Sequence, residues 1–271
     1  MERDAKELVR QQFGRTAQEY VNSESHARGG DLELIVEWTQ PQPDWTALDI
    51  ATGGGHVAKA LAPYVRTVVA TDLTQPMLAA ARDHLLGAGV QNCEYVLADA
   101  EKLPFLDESF EIVTCRIAAH HFPAPQAFVT EAARVLKSGG RFVLIDNVAP
   151  EDIQLADFMN TVEYVRDRSH VRCLAVSEWK LLAAQAGLYI RIEHARRKTH
   201  AVPDWARRAV SDERQFAEVV HCLQTADERV QRYFSFTFEE SGQVATFQVD
   251  EWAALCVKPG NGQRDGRSDG S

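Results

Sequence analysis

The segment Leu48-Asp49-Ile50-Ala51-Thr52-Gly53-Gly54-Gly55-His56-Val57-Ala58 combines a carboxylate, a glycine-rich turn and the start of a helical pattern. Glycines after a strand let the backbone turn tightly and approach a ligand closely. The helix that follows points free N–H groups at that ligand. Two cofactor readings compete with a plain glycine turn. Gly53-x-Gly55-x-x-Ala58 satisfies the dinucleotide pattern G-x-G-x-x-A. Asp49, four residues before the first glycine, argues against it, because a carboxylate there repels a pyrophosphate. It suits a ligand with an ammonium group and a sulfonium, as in S-adenosylmethionine, which has no phosphate.

Two more carboxylates follow at strand ends. Asp72 lies 17 residues after Gly55, where a carboxylate accepts ribose hydroxyl protons. Both cofactors need that, so Asp72 does not separate them; a helix-capping or turn aspartate is its bland alternative. Asp99 closes the third strand, where it can accept from an adenine amino group. His120 and His121 follow the fourth strand. Each is a candidate base or substrate contact, against a structural or solvent-facing role. A metal pair is the third reading, but no third ligand stands at motif spacing, so no metal site is expected. His26 and His56 are weaker candidates.

The elements that must position these residues are legible as a rhythm. To about Trp38 the chain reads as helical, interrupted at Gly29-Gly30, with Asp31 a candidate cap. After Pro41 and Pro43 short apolar runs alternate with helices. Strands are expected at 47–51, 67–72, 94–99, 110–115 and 141–146, with helices at about 56–64, 76–86 and 125–136. That alternation predicts an α/β fold with a mostly parallel sheet covered on both faces. After Pro150 the rhythm breaks. Helices are expected at 151–169 and 177–186, the latter capped by Ser177. A strand follows at 188–192, then a charged helical insertion at 203–233. The last strands are expected at 234–238, 243–249 and 251–257. The resulting division is 1–40, 41–150, 151–257 and a flexible tail at 258–271.

Composition excludes several classes. The 271 residues are 45% hydrophobic and 25% charged, ordinary for a globular chain. A net charge of −10 is wrong for a general nucleic-acid binder. No apolar run reaches the ~20 residues that span a bilayer, and the charged N-terminus lacks a signal core, so a cytoplasmic location is expected. Five scattered cysteines, with no CxxC, read as reduced thiols. Arg166, Arg168, Arg172 and the run Arg196-Arg197-Lys198 are basic islands, read as a solvated face or as contacts to an anionic acceptor. Phe158, Met159, Tyr164, Trp179 and Trp205 are either core or acceptor-pocket residues.

Taken together, the motifs resemble the class I S-adenosylmethionine-dependent methyltransferases. The branch they resemble is the small-molecule one that includes the ubiquinone/menaquinone C-methyltransferases. The resemblance covers about Phe13 to Asp146. It rests on Asp49-x-Ala51-x-Gly53-x-Gly55, Asp72 with Met77, and Ala98-Asp99-Ala100-Glu101-x-Leu103-Pro104-Phe105. Phe110-Glu111-Ile112-Val113 and Arg134-Val135-Leu136-Lys137-x-Gly139-Gly140 complete it. Ala51 stands where many members have glycine, a small-for-small change.

The resemblance implies a Rossmann-like seven-stranded sheet of order 3-2-1-4-5-7-6 with the last strand antiparallel, an N-terminal helical lid and a helical insertion in the C-terminal half. It implies methyl transfer from S-adenosylmethionine, leaving S-adenosylhomocysteine. Asp49, Ala51, Gly53 and Gly55 would hold the methionine end, with Arg116 beside it. Asp72 would hold the ribose, Leu73 and Met77 would pack near the adenosine, and Asp99 and Ala100 would contact the adenine. Phe13-Gly14-x-x-Ala17-x-x-Tyr20 resembles the lid, with Tyr20 over the cofactor. His120 and His121 would lie on the acceptor's edge. The expected partner is a small-molecule acceptor, with no nucleic acid and no membrane span; no oligomeric state is specified. Protein or RNA methylation is the alternative within the class, an NAD(P)-dependent oxidoreductase or a non-catalytic binding module outside it.

Overall fold

The computed structural model describes residues 5–14 and 30–260. Residues 5–14 form helix α1, and α2 spans Asp31–Thr39. The alternating core follows as β1 (Thr46–Ile50), α3 (His56–Leu61), β2 (Thr67–Asp72), α4 (Gln75–Gly87), β3 (Cys93–Leu97), β4 (Phe110–Arg116), α5 (Pro125–Val135) and β5 (Leu136–Val148). Next come α6 (Ile153–Arg166), α7 (Val176–Gln185), β6 (Tyr189–Ala201), α8 (Val202–Arg207), α9 (Glu213–Gln224), α10 (Glu228–Tyr233), β7 (Thr237–Phe238) and β8 (Val244–Val257).

One sheet carries the order β3-β2-β1-β4-β5-β8-β6, with β7 paired to β8 off that path. β1 is parallel to both β2 and β4, and β8 runs antiparallel to β5 and β6. This is the expected order; the two-residue β7 only advances the number of the last strand. The chain reverses direction across the sheet at β1, with β2 on one side and β4 on the other. Open α/β sheets bind ligands at such a switch point, beyond the carboxyl ends of the strands.

Alternation along the strands sorts the core into two layers. Leu48 and Ile50 join Phe128, Phe142 and Trp179 on the face covered by α5 and α7. Ala47 joins Ile35, Leu61, Leu85 and Ile145 on the face covered by α2, α3 and α4. A third cluster, with Met159, Trp205, Phe234 and Phe247, holds the insertion helices together. Met159, Trp179 and Trp205 are therefore core residues. Two distant motifs also prove to be one clamp: Arg134 of α5 donates to the carbonyls of Leu103 (3.0 Å) and Phe105 (2.7 Å).

Several local expectations are corrected. Asp31 does not cap α2, whose N-cap is Gly30 with no side-chain bond; its carboxylate is drawn to Arg116 instead. Ser177 lies inside α7 and donates to Glu151, while Glu178 accepts from the Ala175 amide at 2.9 Å. The strands at 243–249 and 251–257 are one continuous β8, and only Thr237–Phe238 of the 234–238 run is strand. The insertion is three helices rather than one. The strand at 188–192 continues to Ala201 because β8 presents acids to its basic residues. Arg196 and Arg197 sit opposite Glu251 and Asp250 in the antiparallel register. Arg197 pairs with Asp250 at 3.0 Å, and Arg196 and Lys198 both pair with Glu251. The basic run is thus a paired cross-strand ladder, not a bare solvated face. Tyr20, His26 and most of the expected tail lie outside the described residues.

Candidate active site

The first turn after β1 is built by backbone conformations that β-carbons resist. Ala51, Gly53 and Gly55 all have positive φ, at 52°, 54° and 79°. A left-handed non-glycine residue costs about 1–2 kcal/mol, so Ala51 is more than a neutral replacement for glycine. The turn is pinned by polar bonds to both neighbouring strands. The Thr52 amide donates to the Thr71 carbonyl at 2.8 Å, and the Gly53 amide to Asp72 Oδ2 at 3.3 Å. Asp49, 1% exposed, accepts from Thr52 Oγ1 at 2.6 Å and from Thr114 Oγ1 of β4 at 2.8 Å. Asp72 Oδ1 accepts from the amide (3.0 Å) and hydroxyl (3.2 Å) of Thr74.

Burial pushes both carboxyls up, to about 6 for each, against the pull of these hydrogen bonds. They are carboxylates short of compensating positive charge. They line one cleft of about 1010 Å³, including the open space at its mouth. Ala51, Gly53, Leu73, Met77, Asp99, Ala100, Arg116 and His121 line the same cleft. Among the described residues, two expected members do not reach its wall. Gly55 serves by shaping the turn, and His120 points back into the fold toward Asp146.

Helix α1, within the segment expected as a lid, contributes to the wall of this cleft, and Lys6 and Val9 were not among the expected site residues. Lys6, Val9 and Phe13 of α1 line it together. Their spacing of three and four residues, one helical face, is the signal that could have found them. Lys6 Nζ lies 2.6 Å from Asp99 Oδ2 and also pairs with Glu101. Phe13 meets His121 edge to face, ring centroids 4.9 Å apart. Arg116 is ion-paired with Asp31, and Asp31 in turn lies 3.4 Å from Arg196. The two cations in the described wall, Lys6 and Arg116, are thus both committed to carboxylates. Such a wall suits a cationic ligand far better than a pyrophosphate.

Behind His121 lies a buried polar cluster. Its Nδ1 is 3.0 Å from the Ser169 carbonyl; a carbonyl only accepts, so Nδ1 carries the hydrogen and Nε2 keeps the lone pair. Burial and the neighbouring His120 push His121 down to about 4. Burial alone would lower His120 too, but the Asp146 carboxylate, 2.7 Å from its Nδ1, raises it overall. Asp146 was not a sequence candidate. An acid at the carboxyl end of a parallel strand, as at Asp49 and Asp72, was the available signal.

Known proteins place this geometry. The methyltransferase domain family matches residues 48–144. YcgJ of Bacillus subtilis, an uncharacterized methyltransferase, is 34% identical over 235 residues, 87% of this chain and 93% of YcgJ. The chain is a class I S-adenosylmethionine-dependent methyltransferase. The YcgJ crystal structure superposes with a TM-score of 0.81, at 33% identity, over 84% of this chain and 97% of YcgJ. The methyltransferase candidate BH2331 of Bacillus halodurans C-125 gives 0.82, at 42% identity, over 85% of this chain and all of BH2331. The ubiquinone/menaquinone biosynthesis C-methyltransferase UbiE of Brucella canis is 35% identical over 120 residues, 42% of this chain and 45% of UbiE.

The cofactor of this methyltransferase is S-adenosylmethionine, and the cleft fits it. The ligand brings the positive charge that two buried carboxylates lack, and the Leu73, Met77, Val9 and Phe13 side chains add apolar surface to the wall. Among the described residues no helix is long and apolar enough to cross a membrane, and no group of three or more His, Cys, Asp or Glu residues is arranged to hold a metal ion.

Proposed function

We propose that this methyltransferase acts on a small-molecule acceptor that enters the cleft beside His121. The observation that carries the reading is the polarity of the cleft along its length. Carboxylates gather at the carboxyl ends of β1 and β2, and a neutral imidazole lines the same cleft against Phe13. On this reading Asp49 and the Ala51–Gly55 turn bind the methionine end, with Arg116 beside its carboxylate. Asp72 orients the ribose, Leu73 and Met77 pack against the adenosine, and Asp99 and Ala100 meet the adenine edge. When bound, the cofactor supplies an already activated methyl group on sulfur. Positioning the acceptor in line is then the protein's main contribution.

His121 is the residue proposed to hold or accept the acceptor's proton through Nε2. α1 covers the cleft and excludes water from it. The net charge of −10 disfavours a nucleic-acid acceptor, and a cleft lined by Phe13 and Phe122 as well as His121 favours a small molecule. All five cysteines are free thiols, in keeping with a reducing, cytoplasmic setting.

The test is turnover of S-adenosylmethionine to S-adenosylhomocysteine across a panel of phenols, quinols, amines and carboxylic acids. One or more acceptors should give product that depends on His121. Cofactor binding without turnover on any of them would favour a non-catalytic binding module.

A further inference from the structure

Asp146 and His120 lie behind the cleft wall, and nothing in the binding of cofactor or acceptor accounts for them. Asp146, at the carboxyl end of β5, is 1% exposed. Its Oδ2 accepts the His120 backbone amide at 2.9 Å, and its Oδ1 accepts His120 Nδ1–H at 2.7 Å. The His120 carbonyl is held as firmly, accepting the amides of Val171 and Arg172 at 3.0 Å each. The short turn that carries both histidines is therefore fixed at both of its backbone faces. The next ring, His121, stacks at a tilt on His120 with centroids 4.3 Å apart. Its Nδ1–H is spent on the Ser169 carbonyl, and Ser169 Oγ donates to Asp167 Oδ1 at 2.6 Å.

We propose that Asp146 and His120 are positioning residues for methyl transfer: the Asp146–His120 ion pair holds a cation against the back of His121 and so keeps His121 neutral, with its lone pair on Nε2. This deepens the reading of His121 as the acceptor-side base and rests on it. In the step it serves, the acceptor's bond to the methyl carbon forms as that carbon's bond to sulfur breaks. The electron pair stays on sulfur, and the acceptor's proton passes to Nε2. A histidine already protonated at Nε2 could not take it.

The surroundings bear this out by position. β5 contributes Asp146, and α6 contributes the Glu163–Arg166 pair at 2.8 Å. The loop after α6 contributes Asp167 and His170, and α1 presents the Phe13 ring. His170 is 5.6 Å from His120 and 6.5 Å from His121, centroid to centroid. Its Nε2–H donates to Asn160 Oδ1 at 2.9 Å, and burial pushes it down to about 2, so it stays neutral. The carboxylates Asp146, Glu163 and Asp167 all favour a positive His120–His121 pair, but among the described residues it is His120, not His121, whose ring nitrogen a carboxylate meets. The single proton therefore rests there, and its charge opposes a second on His121.

Nitrogen-15 NMR of histidine-labelled full-length protein tests this without any acceptor. At pH 7 the wild type should show His120 doubly protonated and His121 neutral in the Nδ1–H form. In His120→Gln and in Asp146→Asn the His121 titration should move up by about one pH unit or more, while S-adenosylhomocysteine affinity stays within about twofold. His120→Gln leaves Asp146 its backbone bond, so it carries the test if Asp146→Asn does not fold. A wild-type His121 protonated at Nε2, or a titration that neither folded variant moves, would overturn the proposal. Those outcomes are separate from the failure of all acceptors to react, which would instead remove the methyl-transfer reading.

Discussion

Lys6 Nζ of α1 sits 2.6 Å from Asp99 Oδ2, across 93 residues of sequence, and the same ammonium group pairs with Glu101. One cation between two carboxylates thus ties the N-terminal helix across the cleft mouth. A partly buried ion pair of this kind contributes about 1 kcal/mol, roughly fivefold in an equilibrium constant. Lys6→Met should therefore loosen α1 without unfolding the sheet. Amide hydrogen exchange across residues 5–14 should speed up, with β1 and β4 unchanged, and S-adenosylhomocysteine should dissociate about fivefold faster. Unaltered protection of α1 would show that Val9 and Phe13, not Lys6, hold it down.

How far the sequence reached is best judged at single residues. Asp72 and Asp99 were legible because each closes an apolar run, and Asp49 because it stands four residues before the glycine turn; a parallel sheet brings such positions to one edge. The sheet order came from the motif resemblance, since alternation alone fixes only a parallel α/β sheet. Lys6 was not singled out because its partners are remote in sequence; only the folded sheet brings Asp99 under α1. Arg196-Arg197-Lys198 looked like a solvated surface for the same reason. Its acids, Asp250 and Glu251, are brought opposite by the β6–β8 register. Asp31 looked like a helix cap because its local context fits one, but a buried guanidinium at Arg116 competes for its carboxylate and wins.

Gly55→Ala separates two small residues of one turn. At Ala51 a β-carbon is already accommodated at φ 52°, whereas at Gly55 φ is 79° and a β-carbon would lie 3.1 Å from Leu85 Cδ1 and 3.4 Å from Ala81 Cβ. Left-handed strain of about 1–2 kcal/mol then adds to crowding against a fully buried leucine. Chemical denaturation should show Gly55→Ala less stable than wild type by about 1–3 kcal/mol, with weaker cofactor binding. A stability within about 0.5 kcal/mol of wild type would show that α4 yields easily and that the turn does not need its glycine.

Asp72→Ala tests the proposed ribose contact. The carboxylate also holds the Gly53 amide and Thr74, so its loss slackens the turn as well as removing acceptors. Charge-assisted hydrogen bonds of this kind contribute about 1–3 kcal/mol. Calorimetry should find S-adenosylmethionine bound roughly 10- to 100-fold more weakly, with Asp72→Asn losing less because it keeps one acceptor. Unchanged affinity in a folded Asp72→Ala protein would sink the ribose role.

The raised Asp49 and Asp72 carboxyls make a prediction about pH whose sign follows from linkage. Without ligand, burial holds both at about 6, above the ordinary carboxylate value. A ligand that brings an ammonium group near Asp49 and hydroxyl donors to Asp72 favours the ionised forms and lowers both values on binding. Binding therefore releases protons near pH 6, and affinity falls as pH drops below it. Each carboxylate that must ionise costs about tenfold per pH unit, or about 1.4 kcal/mol. Titrations with S-adenosylhomocysteine at pH 6, in two buffers of different ionisation enthalpy, should reveal the released proton, and Asp72→Asn should remove part of it. Stability carries the same sign. Acids with raised folded values make the ligand-free protein lose stability as pH climbs from about 4 through 6. The ligand relieves that loss, so the rise in melting temperature it produces should grow across the same interval. Affinity that is flat from pH 7.5 to 5, with no proton released, would mean that neither carboxylate meets the ligand.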